Sequence, residues 1–582
     1  MSYSLKKDFL KLRNLWPYIK DQKKLLIIAL ILLPIVAVLE MSIPIVIKWC
    51  IDEGILKNQW DKLKLGVIAY FSIVLLQYLC RSSQALTMAY AVHRMVKTLR
   101  KTVIDHVMKL SCSFHDRNLS GSLVTRATSD FDNLSESLNT GVLTSLIDLA
   151  VLAGSLVGLF YLDWSLALST IVLLPFIFLI VSWFAKKLKT TMMIARAKIA
   201  SLNAFTQECL FGNTTVKLLT AQKNVQNKYD NLSEDYRKAQ MDSVKLDASM
   251  FSIVDGLSSI TVGIVLFVAV SSLTTDSKIT VGLVIAFVQY IQQIFDPLKH
   301  LSNKIAMLQG AFTALDRIFA VLNQKTFVGG DKSIQISDGS LEFKHVSFAY
   351  KTDENTTPHQ VLKDISFSTK PSSSLAIVGS TGSGKSTIVK LITKLYDGYS
   401  GDILIDGTNI EDISGSSLRN QISIVPQDII LFDGSIKFNI KLGREQISDE
   451  DIIHAAKVVG ADSFIEELPG LYDFMVKEQG ANLSHGQCQL IAFARALAKN
   501  PKMVVLDEAT SSVDPESEAL IQKGVDSMLA DRATIVIAHR LSTIKKCDKI
   551  LVIQNGQIVE QGEHNELLAL KEHYFRLASA LN

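Results

Sequence analysis

Six stretches of the chain are apolar for long enough to cross a bilayer as helices: Leu25 to Ile47, and about 63–80, 141–160, 164–185, 250–272 and 279–298. Pro34, Glu40 and Pro44 interrupt the first, an interruption that neighbouring helices tolerate by re-satisfying the freed backbone groups. The connecting segments alternate sharply in length and charge. Tyr161–Trp164 and Leu273–Lys278 are short and nearly free of basic residues, which puts them outside. Segments 81–140 and 186–249 hold eight and eleven Lys/Arg, which keeps them on the cytoplasmic side. Their helical patterning, without strands or Pro/Gly clusters, predicts membrane helices prolonged on the order of 40 Å beyond the bilayer. Residues 1–24 carry seven Lys/Arg and no small-residue cleavage site follows, so they read as an amphipathic cytoplasmic lead-in.

After the sixth span the period changes. Thr326–Ile334 has the composition of a linker, and from Gly339 short strands begin with Leu341–Phe348. Val504–Leu506 and Thr534–Ala538 are continuous apolar runs, as buried parallel strands are. Ile550–Ile553 and Gln557–Glu560 flank Asn555-Gly556, a strong hairpin signal. The expected division is therefore a lead-in over 1–24, six spans over 25–310, a linker over 311–338 and an α/β domain over 339–582. The fold class is a multidomain membrane protein: a six-helix all-α transmembrane domain with long cytoplasmic helical extensions, followed by an α/β P-loop domain.

Composition agrees with that division. A chain of 582 residues exceeds a single core, and 48% hydrophobic residues is high for a soluble P-loop enzyme. A net charge of +3 over this length argues against a nucleic-acid partner. Cys50, Cys80, Cys112, Cys209, Cys488 and Cys547 form no CxxC pair, so neither a zinc site nor a disulfide framework is signalled.

The candidate chemistry begins at Gly379-Ser380-Thr381-Gly382-Ser383-Gly384-Lys385-Ser386-Thr387, set between the apolar Leu375–Val378 and the helix-like Ile388–Leu395. In a P-loop of this kind the glycines let successive amides turn inward on β- and γ-phosphate oxygens, and the helix adds its positive end. Lys385 reaches the outer phosphates, and the Ser386 hydroxyl can coordinate Mg²⁺. Met503–Leu506 is an apolar run that delivers Asp507 and Glu508 at its end, where open α/β sheets bind ligands. Asp507 suits the Mg²⁺ shell, and Glu508 could orient or deprotonate an attacking water.

Between these two motifs lies Leu483-Ser484-His485-Gly486-Gln487, and here the chain resembles the ATP-binding cassette (ABC) family, whose signature is usually LSGGQ. Six spans followed by a cassette look like an exporter-type half-transporter, two of which make one pump. The resemblance implies that Tyr350 stacks on adenine, that Gln427 contacts Mg²⁺ and senses the membrane domain, and that His539 meets the γ-phosphate. It implies that Ser511–Asp514 crosses between cassettes, and that Ser484, Gly486 and Gln487 close over ATP held by the partner's P-loop. The implied cofactors are ATP and Mg²⁺. Phe114–Arg126 and Gln207–Gly212 resemble the exporter segments that dock on cassettes.

The chain also departs from the family pattern. His485 replaces the usual second glycine, Cys488 and Leu490 replace residues that are often basic, and Val476–Gly480 only partly matches the X-loop while keeping Glu478. An intact P-loop beside an altered signature favours a heterodimer with a second half-transporter; a homodimer would place His485 at both sites. In the sixth span Gln289, Gln292, Gln293 and Asp296 share one helical face, which either lines a transport path or bonds neighbouring helices. Glu40, Asp148 and Asp255 are further intramembrane acids that could favour cationic or amphipathic cargo.

The expected function is ATP-driven export or flipping of an amphipathic drug or lipid. A peptide is the alternative cargo, and an ATP-gated channel or regulatory membrane protein the alternative class. A cell membrane of the bacterial inner or plasma type, with the cassette cytoplasmic, is the expected location.

Overall fold

The computed structural model of the chain describes residues 13–118, 120–273, 279–324, 326, 330–350, 360–507, 515–529, 532–538 and 540–580. They form two compact units, Met1–Met108 with Ser120–Gln324, and Lys109–Leu119 with Lys325–Asn582.

Among the described residues, six helices of the first unit are long and apolar enough to cross a membrane. In chain order the main helices are α1 (Lys23–Trp49) and α2 (Trp60–Val107), then α3 (Cys112–Arg117) of the second unit, then α4 (Leu143–Leu162), α5 (Trp164–Phe211), α6 (Gln222–Leu273) and α7 (Val281–Leu322). Pro34 and Pro44 lie inside α1 without ending it. The long basic segments extend α2, α5 and α6 as the patterning predicts. Asp163 marks the expected short turn: its carboxylate accepts from the amides of Ser165 (2.9 Å) and Leu166 (3.0 Å) and starts α5. Thr280 caps α7 in the same way, and Asp52 holds that corner by accepting from Gly282 N at 2.9 Å. Helix α7 runs on to Leu322, past residue 310, because Ala311, Ala314, Leu315 and Ile318 pack on Leu99, Phe131 and Leu134 in a second apolar cluster.

The polar face of the sixth span divides. Gln293 accepts from Ser155 Oγ at 3.0 Å, a bond between helices, whereas Gln292 and Asp296 are exposed on this unit. Gln289 Oε1 is buried without a hydrogen-bond partner among the described residues. Two of the three intramembrane acids are already matched by cations: Asp148 pairs with Lys304, and Lys299 lies 3.1 Å from both Asp255 and Asp296. Pairing of this kind removes much of the reason to expect a cationic cargo at those positions.

Among the described residues the second unit has two larger sheets and a two-stranded ribbon that pairs Gly434–Ser435 with Met475–Val476. β1 (Leu341–Ala349), β2 (Gln360–Ser368), β4 (Ser400–Ile405) and β5 (Thr408–Asn409) form an antiparallel sheet in the order β2-β1-β4-β5. The larger sheet contains β3 (Ser374–Gly379), β6 (Ile422–Val425), β7 (Met503–Asp507), β8 (Ala533–Ile537), β9 (Lys549–Gln554) and β10 (Gln557–Gly562), in the order β10-β9-β3-β8-β7-β6. All neighbours are parallel except the β9–β10 hairpin. Its turn residues Asn555 and Gly556 have φ of 51° and 82°, the positive pair that a type I′ turn requires. The central strands are buried throughout, which matches their unbroken apolar sequence.

Candidate functional site

Strand β3 ends at Gly379 and helix α8 (Lys385–Ile392) begins six residues on, so the expected strand-loop-helix order is present. Two glycines are demanded by space. A Cβ on Gly379 would lie 2.1 Å from Ile553 O, and one on Gly384, at φ +105°, would lie 2.7 Å from Leu362 Cδ2. Among the described residues the amides of Gly384, Lys385 and Ser386 donate to no backbone acceptor outside a helix, and Ser383 Oγ is buried without a partner. Donors left open in this way fit a ligand rich in acceptor oxygens. Lys385 is buried and folds back to donate to Gly379 O and Ser380 O, both at 2.9 Å. Burial holds its pKa below the usual lysine value, and the nearby Asp507 charge pulls the other way.

Asp507 closes β7 one strand beyond β8, at the same edge of the sheet as the loop. Ser386 is exposed on the first turn of α8, and Gln427 is exposed just after β6. These three contribute hard oxygen donors, the type Mg²⁺ prefers. Among the described residues no group of three or more His, Cys, Asp or Glu is placed to hold a metal ion.

Tyr350 is fixed against the P-loop helix, its hydroxyl 3.0 Å from Thr387 Oγ1. Its ring meets Phe348 and Tyr396 edge-on at 5.0 and 5.3 Å, with Lys390 Nζ 5.6 Å from its centre. Sequence reading missed Tyr396 and Lys390. Tyr396 donates its hydroxyl to Asp116 of α3, and Cys112 of the same helix packs on the apolar cluster beneath β1 and β3. Part of the first predicted docking segment thus belongs to the cassette unit, while Ser120–Ala127 returns to the membrane unit. The second segment ends α5 at Phe211, with Leu210 and Phe211 73% and 84% exposed.

The signature forms the start of α9 (His485–Leu497). Ser484 and Gln487 make a reciprocal capping box, Ser484 Oγ accepting from Gln487 N (3.2 Å) and Gln487 Oε1 from Ser484 N (2.9 Å). Both predicted side chains therefore shape the turn, which leaves the amides of His485 and Gly486 at the exposed helix start. His485 shares a narrow cleft with Gln427, Gln489 and Asp507. Gln489 was not foreseen; it is buried, and its Oε1 has no partner among the described residues. Cys488 packs beneath the X-loop, 3.8 Å from Gly480 O, and burial raises its pKa. Glu478 N donates to Asp433 Oδ1 at 2.8 Å. Glu508, His539 and Ser511–Asp514 lie outside the described residues.

A second unforeseen group fixes α9 to the segment after Gln427. Arg495 donates to Asn439 O (2.8 Å), Ile430 O (3.0 Å) and Asn439 Oδ1 (3.3 Å). Fully buried Asn439 exchanges two bonds with Phe432, both of 2.8 Å. A periodicity search does not reveal such pairs, because the partners are 56 and 65 residues apart.

Fold and site together define a P-loop ATPase joined to a six-span membrane domain. Residues 26–298 match the ABC transporter transmembrane region and residues 362–511 the ABC transporter family. The ATP-dependent lipid A-core flippase of Haemophilus influenzae is 34% identical over 97% of this chain and 96% of its own length. A provisionally named multidrug export ATP-binding/permease protein of Staphylococcus aureus is 34% identical over 94% of this chain and 95% of its own. A bacterial Atm1-family ABC exporter solved with ATP bound superposes with a TM-score of 0.78 at 26% identity, covering 96% of this chain and 98% of that one. The chain belongs to the ABC transporter family and has the exporter arrangement, coupling ATP hydrolysis to transport across a membrane.

Proposed function

We propose that the chain is one half of a dimeric exporter that moves an amphipathic lipid or drug across a bacterial plasma membrane, with ATP held at composite sites between two cassettes. The P-loop geometry carries this reading: open amides and a buried Lys385 behind three hard-oxygen side chains are suited to a nucleotide triphosphate and little else. In this scheme Tyr350 stacks on adenine, the amides of residues 380–387 and the Lys385 ammonium hold the phosphates, and Ser386, Gln427 and Asp507 hold Mg²⁺. The metal would neutralise charge developing on the β- and γ-oxygens. Glu508 orients or deprotonates the attacking water, and His539 contacts the γ-phosphate. Ser484, Gly486 and Gln487 of each chain complete the site of the other.

The exposed apolar tip at Leu210, Phe211, Leu218 and Leu219 supports a second chain, since such a patch in a monomer needs cover. The His485 side chain beside Gln427 and Asp507 supports a heterodimer: the partner's signature serves this chain's intact P-loop, and the site built on LSHGQ turns over more slowly. The test is ATPase turnover of the purified chain alone in lipid, beside Glu508→Gln. The heterodimer reading expects ATP binding without turnover from the lone chain. Glu508-dependent turnover would refute it and establish a homodimer with working LSHGQ sites.

A further inference from the structure

Within the membrane unit lies a cavity of about 720 Å³ between α5, α7 and the helix Ser129–Glu136. That volume falls in the roughly 300–1,000 Å³ range of small-molecule sites. Its walls change character along α5. Phe178 lies on the membrane side, then come Lys186, Lys189 and Arg196 on the same face, with Met193 among them. At about 1.5 Å per residue Phe178 stands roughly 12 Å above Lys186, and Arg196 roughly 15 Å below it. The apolar part of the helix ends at Lys186, so the basic residues occupy the level of the cytoplasmic headgroups and just beneath.

From α7 the cavity receives Ile305 and Arg317. Asp130 is the one acid among the described lining residues, and it is paired with Arg317 at 3.2 Å. Lys186, Lys189 and Arg196 have no carboxylate within ion-pair distance among the described residues. Three unmatched cations beside an apolar wall with the adaptable side chains Met192 and Met193 define a chemistry. The cavity suits a molecule with an anionic head at the cytoplasmic level and an apolar tail directed into the bilayer.

We propose that this cavity is a binding site for an anionic amphiphile, a lipid with a phosphate head, and that it is where the exporter takes up its cargo. The site rests on the exporter reading only for the second clause; binding itself does not require it. Lys186, Lys189 and Arg196 recognise the head, and Phe178, on the bilayer side of Lys186, receives the first part of the tail. The result also reverses the preference suggested by Asp148 and Asp255, whose charges are already taken up by lysines.

The test uses the full chain in phosphatidylcholine nanodiscs without nucleotide, titrated with fluorescent phosphatidic acid. Saturable binding is expected. Each basic side chain at a lipid surface contributes about a factor of five, so Lys186→Gln, Lys189→Gln and Arg196→Gln together weaken binding on the order of a hundredfold. Arg196→Gln alone gives about fivefold, which keeps the test open if the triple variant folds poorly. Lys187→Gln, a charge lying over Trp183 on the adjoining face, leaves binding unchanged. Equal affinity for fluorescent phosphatidylcholine, equal competition by inorganic phosphate, or indifference to Arg196→Gln would overturn the proposal. ATPase activity in the same samples separates the two readings: binding of phosphatidic acid supports this site whether or not the lone chain turns over, and Glu508-dependent turnover without such binding would overturn the site and leave the exporter mechanism standing.

Discussion

Replacing Arg495 by Met tests whether the signature helix and the segment after Gln427 move as one body. Arg495 makes three hydrogen bonds to oxygens of Asn439 and Ile430, and burial lowers its pKa from the usual 12.5 to about 10. That drop corresponds to about 3 kcal/mol of desolvation opposing the charged form. Hydrogen bonds from a charged donor contribute about 1.5–3 kcal/mol each, so three give about 6 kcal/mol and the net is about 3 kcal/mol. Met fills much of the volume but leaves two backbone carbonyls without a donor, which places the destabilisation at about 2–4 kcal/mol. For a unit of this size, about 2–4 °C is lost per kcal/mol, so the cassette transition falls by about 4–16 °C. Differential scanning fluorimetry of the full chain in lipid, with and without ATP, measures it. Adding Asn439→Ala to Arg495→Met should give less than the sum of the two single effects, because they share bonds. A cassette transition within about 1 °C of the unaltered chain would refute the network as a structural tie.

Two further outcomes follow from the site. Gly384→Ala forces a side chain at φ +105° onto Leu362 and should abolish binding of a fluorescent ATP analogue, with the membrane unit unfolding at an unchanged temperature. Lys499, whose Nζ donates to Ile422 O at 2.9 Å, has its pKa lowered by burial to about 8. Between pH 8 and 10.5 the unfolded chain therefore binds the additional proton, and stability contributed by this group rises with pH across that window. Thermal unfolding of the full chain over this range should show a rise that Lys499→Met flattens; an identical slope in the variant would count against it.

The elements visible in sequence were those encoded locally. Spans follow from apolar length, the long helical extensions from patterning without breakers, and the P-loop from glycines in a strand-loop-helix setting. The Asn555-Gly556 turn formed as expected, with Gln554 opposite Gln557, because its chemistry is contained in two residues, whereas the register shift between Val552 and Ile553 is not encoded there. Contacts set by tertiary packing were invisible. Nothing near Tyr396 announces Asp116, 280 residues away, and nothing near Asp148 announces Lys304. The intramembrane acids consequently suggested cationic or amphipathic cargo, whereas the lysine partners of Asp148 and Asp255 and the basic face of α5 favour an anionic amphiphile. Helix α7 continues to Leu322, its last turns held by an apolar cluster assembled from α2 and the residues around Phe131, a tertiary contact that no local pattern encodes. Ser484 and Gln487 were read as phosphate ligands, and the structure adds the capping box that holds the amides beside them in place.

The central claim is that ATP turnover at this cassette drives an amphiphile across a membrane. Its most direct test is ATP-dependent accumulation of a fluorescent phosphatidic acid in the inner leaflet of inside-out vesicles containing the chain and its partner, compared with Lys385→Ala and Glu508→Gln. The account predicts accumulation that needs ATP and is lost in both variants. Accumulation that persists in Glu508→Gln, or that proceeds without ATP, would contradict it.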